Sequence, residues 1–276
     1  MWAGAEAPRP EATMSSEFTM SSLRLDGRVA VVTGGGRGLG FGIARALAEA
    51  GADIAIVART AAQVSDAVER VRALGRQAHG IVADVADGEA PQAVVGQVLS
   101  RLGRLDILVH AAGMNVRKPA DQITRDDYER LMRVNVESAF FLAQAAAPVM
   151  RHPRRGRIIV VGSVAAEIAI PGVSVYAMSK GALKQMVKSL ALEWARDAIT
   201  VNAIAPGRFW TTMTDAVFSN PELHASAVRV IPMGRPGVAA DLAGAAVLFA
   251  SDASAYITGQ TLIVDGGWLA GGGVDG

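Results

Sequence analysis

The sequence predicts an α/β fold: one doubly wound domain in which helices flank a parallel β-sheet on both faces. Short runs of aliphatic and β-branched residues alternate along the chain with longer segments of helical spacing. Within these runs consecutive positions are apolar, as expected for strands buried on both sides. No linker-like stretch interrupts residues 23–270, and we expect residues 23–276 to form a single domain.

The predicted strands are bounded by polar residues and glycines, and a further strand is expected just before Asp84. Their predicted ranges are Arg28–Thr33, Asp53–Ala58, Leu105–His110, Arg157–Gly162 and Thr200–Ile204, with a last strand, Thr261–Asp265, at the sheet edge. Helical spacing is clearest over residues 43–50 and 61–74.

Composition excludes several classes of protein. Hydrophobic residues make up 51% of the chain and the formal net charge is +1, without a basic stripe, so nucleic acid is not an expected partner. The chain has no cysteine, and its four histidines show no paired ligand spacing, so no metal site is expected. Apolar stretches such as Ser138–Met150 are too short to span a membrane.

The ends of the chain lack this alternating pattern. Residues 1–22 include Pro8 and Pro10, and we expect them to be a disordered extension or translation from an upstream start site. They contain no apolar run that resembles a signal peptide, so a cytoplasmic location is expected.

A glycine-rich turn, Thr33-Gly-Gly-Gly-Arg-Gly-Leu-Gly40, joins the first strand to a helical segment. Glycines at such a place let backbone N–H groups approach a pyrophosphate, and the helix dipole favours its negative charge. The alternative is a tight turn without a ligand, but the position after the first strand favours a Rossmann-type dinucleotide site. A nucleotide-hydrolysing P-loop is disfavoured because no Lys-Ser/Thr pair follows.

Tyr176 and Lys180 are four residues apart on a predicted helix and therefore share one face. Ser163 follows the strand before that helix, at the sheet edge where ligands of open α/β folds bind. A phenol that accepts an alcohol proton at neutral pH needs its pKa lowered from about 10 to about 7, or roughly 4 kcal/mol. A lysine ammonium about 4 Å away supplies about this amount, so the pair predicts proton transfer during hydride transfer. The alternative is a solvated helix face.

These motifs, in this order over residues 25–268, resemble the short-chain dehydrogenase/reductase family. The resemblance implies a catalytic set of Ser163, Tyr176, Lys180 and Asn135, with Asn135 holding a water that links Lys180 to solvent. It implies that Lys180 and Tyr176 also contact the cofactor. The other cofactor contacts that it implies are Gly34, Arg37, Gly38, Leu39, Gly40, Arg59, Asp84, Val85, His110, Ala111, Gly113, Pro206, Gly207 and Thr211.

One position departs from the family pattern. After the fourth strand the family usually has an asparagine, whereas this chain has His110-Ala111-Ala112-Gly113. Histidine can donate and accept hydrogen bonds, but it is bulkier than asparagine and titrates near pH 6.5. We interpret His110 as a structural substitute rather than a catalytic residue.

The cofactor is expected to be NADP in preference to NAD. The second strand ends at Ala58-Arg59-Thr60, without the acidic residue that usually binds the ribose 2′-hydroxyl of NAD. Arg59 can pair with a 2′-phosphate, and Arg37 adds a second positive charge. The alternatives are that Arg59 only stacks on adenine and that NAD is also used.

The expected substrate is a small alcohol or ketone, of the sugar acid or polyol class. Within the family the chain is most similar to gluconate 5-dehydrogenase-like members, in segments that include Arg117-Lys118-Pro119 and Val264–Leu269. Arg117 can bind a substrate carboxylate, although a solvated loop arginine is the alternative. Two further hypotheses stay open: a 3-oxoacyl-thioester reductase and a non-catalytic nucleotide-sensing protein. Family resemblance also implies a homotetramer built from the helices over residues 121–150 and 174–196.

Overall fold

The computed structural model describes residues 19–153 and 155–271 and shows an α/β fold with one seven-stranded, entirely parallel sheet. The strand order is β3-β2-β1-β4-β5-β6-β7, which places the last strand at an edge, as predicted. The strands are β1 (Val29–Thr33), β2 (Asp53–Ala58), β3 (Ala78–Val82), β4 (Ile107–His110), β5 (Arg157–Val161), β6 (Thr200–Pro206) and β7 (Thr261–Val264).

The predicted strands are all present; β2 has its predicted bounds, and the other predicted ranges differ from the observed strands by one or two residues. β4 begins two residues later than predicted, at Ile107, and the Asp106 carboxylate just before it accepts from the backbone N–H of Val29. β6 continues to Pro206 because β7 pairs with its last four residues. The first, fifth and last strands are each one residue shorter than predicted.

The helices lie between consecutive strands. They are α1 (Gly38–Glu49), α2 (Ala61–Arg72), α3 (Ala90–Leu102), α4 (Arg125–Met132), α5 (Ser138–Arg151), α6 (Ser174–Trp194), α7 (Asp215–Phe218), α8 (Pro221–Arg229) and α9 (Ala243–Ala250). α1 begins five residues before the predicted helical segment, because its first turn is glycine-rich and carries no apolar periodicity. A single π-turn, Arg133–Glu137, joins α4 to α5.

Helices pack on both faces of the sheet, and successive strand residues point to opposite layers. In β1, Ala30 and Val32 pack with α1, α2 and α9, whereas Val29 and Val31 pack with α3, α5 and α6. Both layers are built from fully buried aliphatic side chains, which explains why the strand runs are apolar without alternation.

The chain reverses its direction of travel across the sheet between β1 and β4. At such a switch point the loops that follow the two strands diverge and leave a crevice at the carboxyl edge. The glycine turn follows β1 and the His110–Gly113 segment follows β4, so the fold brings the two motifs together there. Of the N-terminal extension predicted over residues 1–22, residues 1–18 lie outside the described chain, and Met20–Leu23 forms a short 3₁₀ turn.

Candidate active site

The glycine turn forms a cradle of bare backbone. Gly34 has φ +65°, and a Cβ atom there would lie 2.8 Å from the carbonyl oxygen of Ala111. A Cβ at Gly40 would collide with the carbonyl oxygen of Gly34. Gly38, at the first position of α1, has φ +57° and open space around it. These positions fit a pyrophosphate, because backbone N–H groups at a helix N-terminus are exposed where a side chain would block access.

Two arginines lie beside this cradle. A Cβ on Gly36 would be 3.2 Å from the Cβ of Ala58, so the turn contacts the end of β2. Arg59 follows directly; its side chain is 73% exposed, and Nη1 lies 3.8 Å from the Asp84 carboxylate. Arg37 in the turn is exposed as well. The two guanidinium groups fit a phosphorylated ribose better than a bare one.

The predicted catalytic side chains come together at the carboxyl ends of β4 and β5. Lys180 is 5% exposed, and its Nζ donates to the Val161 carbonyl at 2.9 Å. The same Nζ lies 5.5 Å from the centre of the Tyr176 ring. Ser163, two residues beyond β5, hydrogen-bonds the Tyr176 side chain and also accepts from the backbone N–H of Ala165.

Asn135 is completely buried in the π-turn between α4 and α5. Its Oδ1 accepts from the backbone N–H of Met114 at 2.8 Å, and its Nδ2 donates to the Met114 carbonyl at 3.0 Å. Nδ2 also donates to the Ser179 hydroxyl at 3.0 Å, which in turn donates to the Tyr176 carbonyl at 2.7 Å. Asn135 therefore fixes the loop after β4 to the helix that carries Tyr176 and Lys180.

Ser179 is a residue of the site that sequence reasoning missed. It is completely buried one position before Lys180. A small hydroxyl residue at a helical position next to Lys180, among buried positions that are mostly apolar, is a signal that could have identified it.

The pKa of Tyr176 differs from the expected value. Burial raises it above 10.0, and the hydrogen bond from Ser163 offsets this only in part. Burial also lowers the pKa of Lys180 to about 8. The expectation that Lys180 brings the phenol close to neutrality is therefore wrong for the cofactor-free protein, because desolvation of the buried phenol outweighs the hydrogen bond from Ser163. A protonated phenol suits a general acid, which donates its proton to a carbonyl oxygen.

The loop after β4 extends from the cofactor side towards α6. A Cβ on Gly113 would be 3.5 Å from the Asn135 Oδ1 and 3.8 Å from the Lys180 Nζ. Further on, the Lys118 backbone N–H donates to the Gly172 carbonyl at 3.0 Å, and the Arg117 Cγ lies 3.7 Å from the Cβ position of that glycine. The loop is thereby fixed to the segment that leads into α6.

Arg117 and Lys118 differ in their availability. The Lys118 Nζ is paired with the Asp127 carboxylate at 2.6 Å, whereas Arg117 is exposed and forms no ion pair within residues 19–153 and 155–271. The pairing holds the pKa of Asp127 down to about 2, through Lys118 first and then the N-terminal cap at Thr124. Lys118 is thus a structural residue of the α4 start, and Arg117 is available to a ligand.

The remaining predicted cofactor residues also lie at the carboxyl edge. Asp84 and Val85 follow β3, and Asp84 caps its own loop by accepting from the Ala86 backbone N–H at 3.0 Å. Pro206 ends β6, and the Gly207 N–H donates to the Val264 carbonyl at 2.9 Å. Thr211 lies just beyond, in a turn closed by the Thr214 hydroxyl. Leu39 and Ala111 pack at the margin of the apolar layer beneath the glycine turn.

Neither a metal cluster nor a membrane span is found in the part of the chain that the structure describes. No three His, Cys, Asp or Glu side chains gather there as a cation site would require. None of the helices described is both long and apolar enough to cross a bilayer.

Comparison with known proteins assigns the family. A family model described as enoyl-(acyl carrier protein) reductase matches residues 34–269. The chain is 41% identical over 254 residues to a 2-dehydro-3-deoxy-D-gluconate 5-dehydrogenase from Pseudoalteromonas atlantica, covering 91% of this chain and 99% of the relative. The chain belongs to the short-chain dehydrogenase/reductase family. It is thus related to NAD(P)-dependent oxidoreductases that act on CH–OH groups.

Two further short-chain dehydrogenases are similar over nearly their whole length. A gluconate 5-dehydrogenase from Gluconobacter oxydans is 38% identical over 243 residues, which is 88% of this chain and 95% of that protein. The crystal structure of a gluconate 5-dehydrogenase from Burkholderia cenocepacia, in complex with NADP and tartrate, is 40% identical with a TM-score of 0.87. That alignment covers 91% of this chain and 98% of the other.

Proposed function

We propose that this protein is an NADP-dependent oxidoreductase that interconverts a carbonyl and a secondary alcohol on a sugar acid, as a gluconate 5-dehydrogenase does. One observation carries the proposal. The Ser163–Tyr176–Lys180 group lies beside the glycine turn, and Arg117, which forms no ion pair with the described residues, lies in the loop fixed to the segment that leads into Tyr176. The named activities of the three relatives agree with it.

NADPH, when bound, supplies the hydride that reduces the carbonyl carbon. The Ser163 hydroxyl donates a hydrogen bond to the substrate oxygen and holds it beside Tyr176. Tyr176 donates its phenolic proton to that oxygen as the alcohol forms, and the ammonium of Lys180 stabilises the phenolate left behind. Asn135 holds the loop and helix around Lys180 so that a proton can return from solvent. In the oxidative direction the same proton moves from the alcohol to the Tyr176 phenolate.

The cofactor side of the proposal rests on charge and shape. Gly34, Gly38 and Gly40 would hold the pyrophosphate, and Arg59 with Arg37 would pair with the 2′-phosphate of NADP. Asp84 and Val85 would contact adenine, and Pro206, Gly207 and Thr211 the carboxamide side of the nicotinamide. The carboxylate of Asp84 lies close to Arg59 and keeps its guanidinium at the carboxyl edge of the sheet.

Arg117 is the proposed partner of the substrate carboxylate. A guanidinium binds a carboxylate through two parallel hydrogen bonds, and Arg117 has no competing ion pair in the described residues. Lys118 supplies the matched control, because it lies next in sequence but is occupied by Asp127.

The decisive experiment is a steady-state assay of 5-ketogluconate reduction with NADPH. In Arg117→Ala we expect KM to rise about tenfold or more with little change in kcat, because one charged hydrogen-bonding partner is lost. Lys118→Met should change stability more than KM. Activity on acetoacetyl thioesters but on no sugar acid would replace the proposal with a 3-oxoacyl-thioester reductase. Binding of NADPH without any turnover would indicate a nucleotide-sensing protein.

We also propose that the protein assembles as a cytoplasmic homotetramer through α4, α5 and α6. These helices expose large apolar side chains that a monomer would leave in water: Tyr128, Phe140, Phe141, Met178 and Leu192, the last of them 81% exposed. Light scattering coupled to size exclusion should give four times the chain mass for the wild type. A smaller assembly is expected for the double variant Phe141→Glu/Leu192→Glu.

A further inference from the structure

His110 connects the two halves of the site through both of its ring nitrogens. It ends β4 and is 1% exposed. Its Nδ1 lies 3.1 Å from the hydroxyl of Thr33, the first residue of the glycine turn, and its Nε2 lies 3.4 Å from the hydroxyl of Ser138, the first residue of α5. No other side chain described in residues 19–153 and 155–271 bonds to both of these residues.

The hydrogen bonds around the ring determine its tautomer. The Ser138 hydroxyl donates to the Val134 carbonyl at 2.6 Å, so its only proton is used and Nε2–H must donate to the Ser138 oxygen. Nδ1 then carries the lone pair and accepts from the Thr33 hydroxyl. The Thr33 oxygen accepts in turn from the backbone N–H of Ala112 at 3.3 Å. Every donor in this series of hydrogen bonds thus has one acceptor.

Protonation of the ring would break this arrangement, because an imidazolium has no lone pair to accept from Thr33. Burial, and then the nearby charge of Lys180, lower the pKa of His110 to about 3. Lys180 is the one charged group that acts on the ring among those described, and Thr33 and Ser138 are neutral. The ring therefore stays neutral at physiological pH.

The two hydrogen bonds of His110 lead to different parts of the site. On one side, Thr33 and Ala112 flank the contact between the Gly34 cradle and the loop after β4. On the other side, Ser138 is bonded to Val134, which lies next to Asn135 in the π-turn. Asn135 bonds to Ser179, which precedes Lys180 on α6. His110 is the junction between the two.

We propose that His110, in its Nε2–H form, is a positioning residue that couples the glycine turn to the Asn135 turn, so that it sets both NADPH affinity and the rate of proton delivery. In this role it acts through Thr33 and Ser138. The histidine replaces a family asparagine and, with its longer reach, bonds to β1 on one side and to α5 on the other.

The tautomer is tested first, on protein labelled with ¹⁵N-histidine and without cofactor. Long-range ¹H–¹⁵N spectra should show one histidine with a protonated Nε2 and an unprotonated Nδ1 that do not titrate between about pH 8 and pH 5. The signal should be absent in His110→Asn. An Nδ1–H tautomer, or an imidazolium at about pH 6, would overturn the proposal.

The coupling is tested with Thr33→Val, Ser138→Ala and His110→Phe, by NADPH fluorescence titration and by turnover. We expect Thr33→Val to weaken NADPH binding about tenfold with less than about a twofold change in kcat. Ser138→Ala should lower kcat about tenfold with less than about a twofold change in NADPH binding. Each variant loses one of the two hydrogen bonds of His110. His110→Phe should do both, and His110→Asn should recover most of the NADPH affinity. The turnover arm rests on the proposed sugar-acid activity, whereas the binding and spectroscopic arms do not.

Ser254→Ala is the matched control for general destabilisation. Ser254 is completely buried, and its hydroxyl donates to backbone carbonyls in the turn after α9. The Ser254→Ala variant should have a lower Tm, while its NADPH affinity and kcat stay within about twofold of the wild type. If His110→Phe behaves like Ser254→Ala, with a lower Tm and unchanged binding and turnover, His110 is only structural and the proposal is rejected.

Discussion

The Lys180 Nζ donates to the carbonyl oxygen of Val161 at 2.9 Å and thereby joins the second turn of α6 to the last residue of β5. This bond holds a buried lysine at the strand end after which Ser163 follows. The price of the arrangement is desolvation, since burial lowers the pKa of Lys180 to about 8. The site therefore keeps an ammonium where an apolar side chain would be more stable.

Replacing Lys180 by methionine should stabilise the cofactor-free protein while removing its activity. The folded pKa of about 8 lies below the ordinary 10.5. Between these values the unfolded chain holds a proton that the folded chain lacks, so stability rises with pH through this window, and the full cost is present below pH 8. At pH 7 Lys180→Met should gain on the order of 2 kcal/mol in unfolding free energy.

Denaturant unfolding at pH 7 and above pH 10 checks this prediction. The gain should shrink at the higher pH, because the folded wild-type protein then holds Lys180 neutral and no longer bears the full cost of a buried charge. Lys188→Met, on the exposed side of the same helix, should show no such gain. A less stable Lys180→Met at pH 7 would mean that its bond to Val161 outweighs the desolvation of the ammonium.

Tyr176→Phe should lower kcat by about 10²–10⁴-fold, the usual contribution of a general acid or base, with NADPH affinity nearly unchanged. The phenol acts on the substrate oxygen, and the ring itself is retained. Stopped-flow or steady-state rates with NADPH fluorescence titration measure both quantities. Tyr256→Phe, at an exposed tyrosine outside the helices of the proposed assembly, is the control. A kcat above about a tenth of the wild-type value would reject Tyr176 as the proton donor.

The sequence predicted the parallel sheet and the residues of the candidate site, Ser163, Tyr176 and Lys180. β2 agrees with its predicted bounds, because β1 and β3 pair with it from end to end and its four central residues are buried. The π-turn at Asn135 could not be predicted, since no residue pattern marks it and it depends on contacts with Met114 and Ser179. The pKa of Tyr176 was expected in the wrong direction because desolvation depends on packing that the sequence does not show.

The direction of the Tyr176 shift predicts opposite pH dependences for the two reaction directions. Reduction needs the protonated phenol, and a pKa above 10.0 keeps it protonated throughout the neutral range. Oxidation needs the phenolate, whose fraction rises with pH. Initial rates of 5-ketogluconate reduction should therefore be flat up to about pH 8, whereas gluconate oxidation should rise steadily to about pH 10. Equal optima near neutrality would contradict this.

Arg59→Ala should weaken NADPH binding by about tenfold or more and leave NADH binding within about twofold, because a charged hydrogen bond to the 2′-phosphate is lost. Fluorescence titration with both cofactors measures the ratio. Arg125→Ala removes another exposed arginine, on α4, and should change neither affinity. A wild-type preference for NADH of about tenfold would show that Arg59 does not select the cofactor.

Asp252→Asn should destabilise the end of the sheet where β1 and β5 begin, opposite the candidate active site, without changing catalysis. Three arginines share this one carboxylate: Arg28 at 2.5 Å, Arg157 at 3.2 Å and Arg155 at 3.9 Å. Arg28 and Arg157 are nearly fully buried, so loss of the negative charge leaves two guanidinium groups poorly compensated. Because the Asp252 side chain is 50% exposed, solvent screens part of the effect, and we expect a loss of about 2 kcal/mol and roughly 5 °C in Tm.

Calorimetry on Asp252→Asn and on the control Asp66→Asn separates this cluster from ordinary surface pairs, since Asp66 forms only an exposed pair with Arg70. Burial raises the pKa of Asp252, but the hydrogen bond and charge of Arg28 and the charges of Arg155 and Arg157 outweigh it and hold the pKa below 3.8. The Asp252 carboxylate therefore contributes fully to the free energy of unfolding at neutral pH, and this contribution is lost only as the pH falls through the lowered pKa. The difference in Tm between wild type and Asp252→Asn should be constant from about pH 8 to pH 5 and disappear in stronger acid. A constant difference through strong acid would show that the carboxylate charge is not what compensates Arg28 and Arg157.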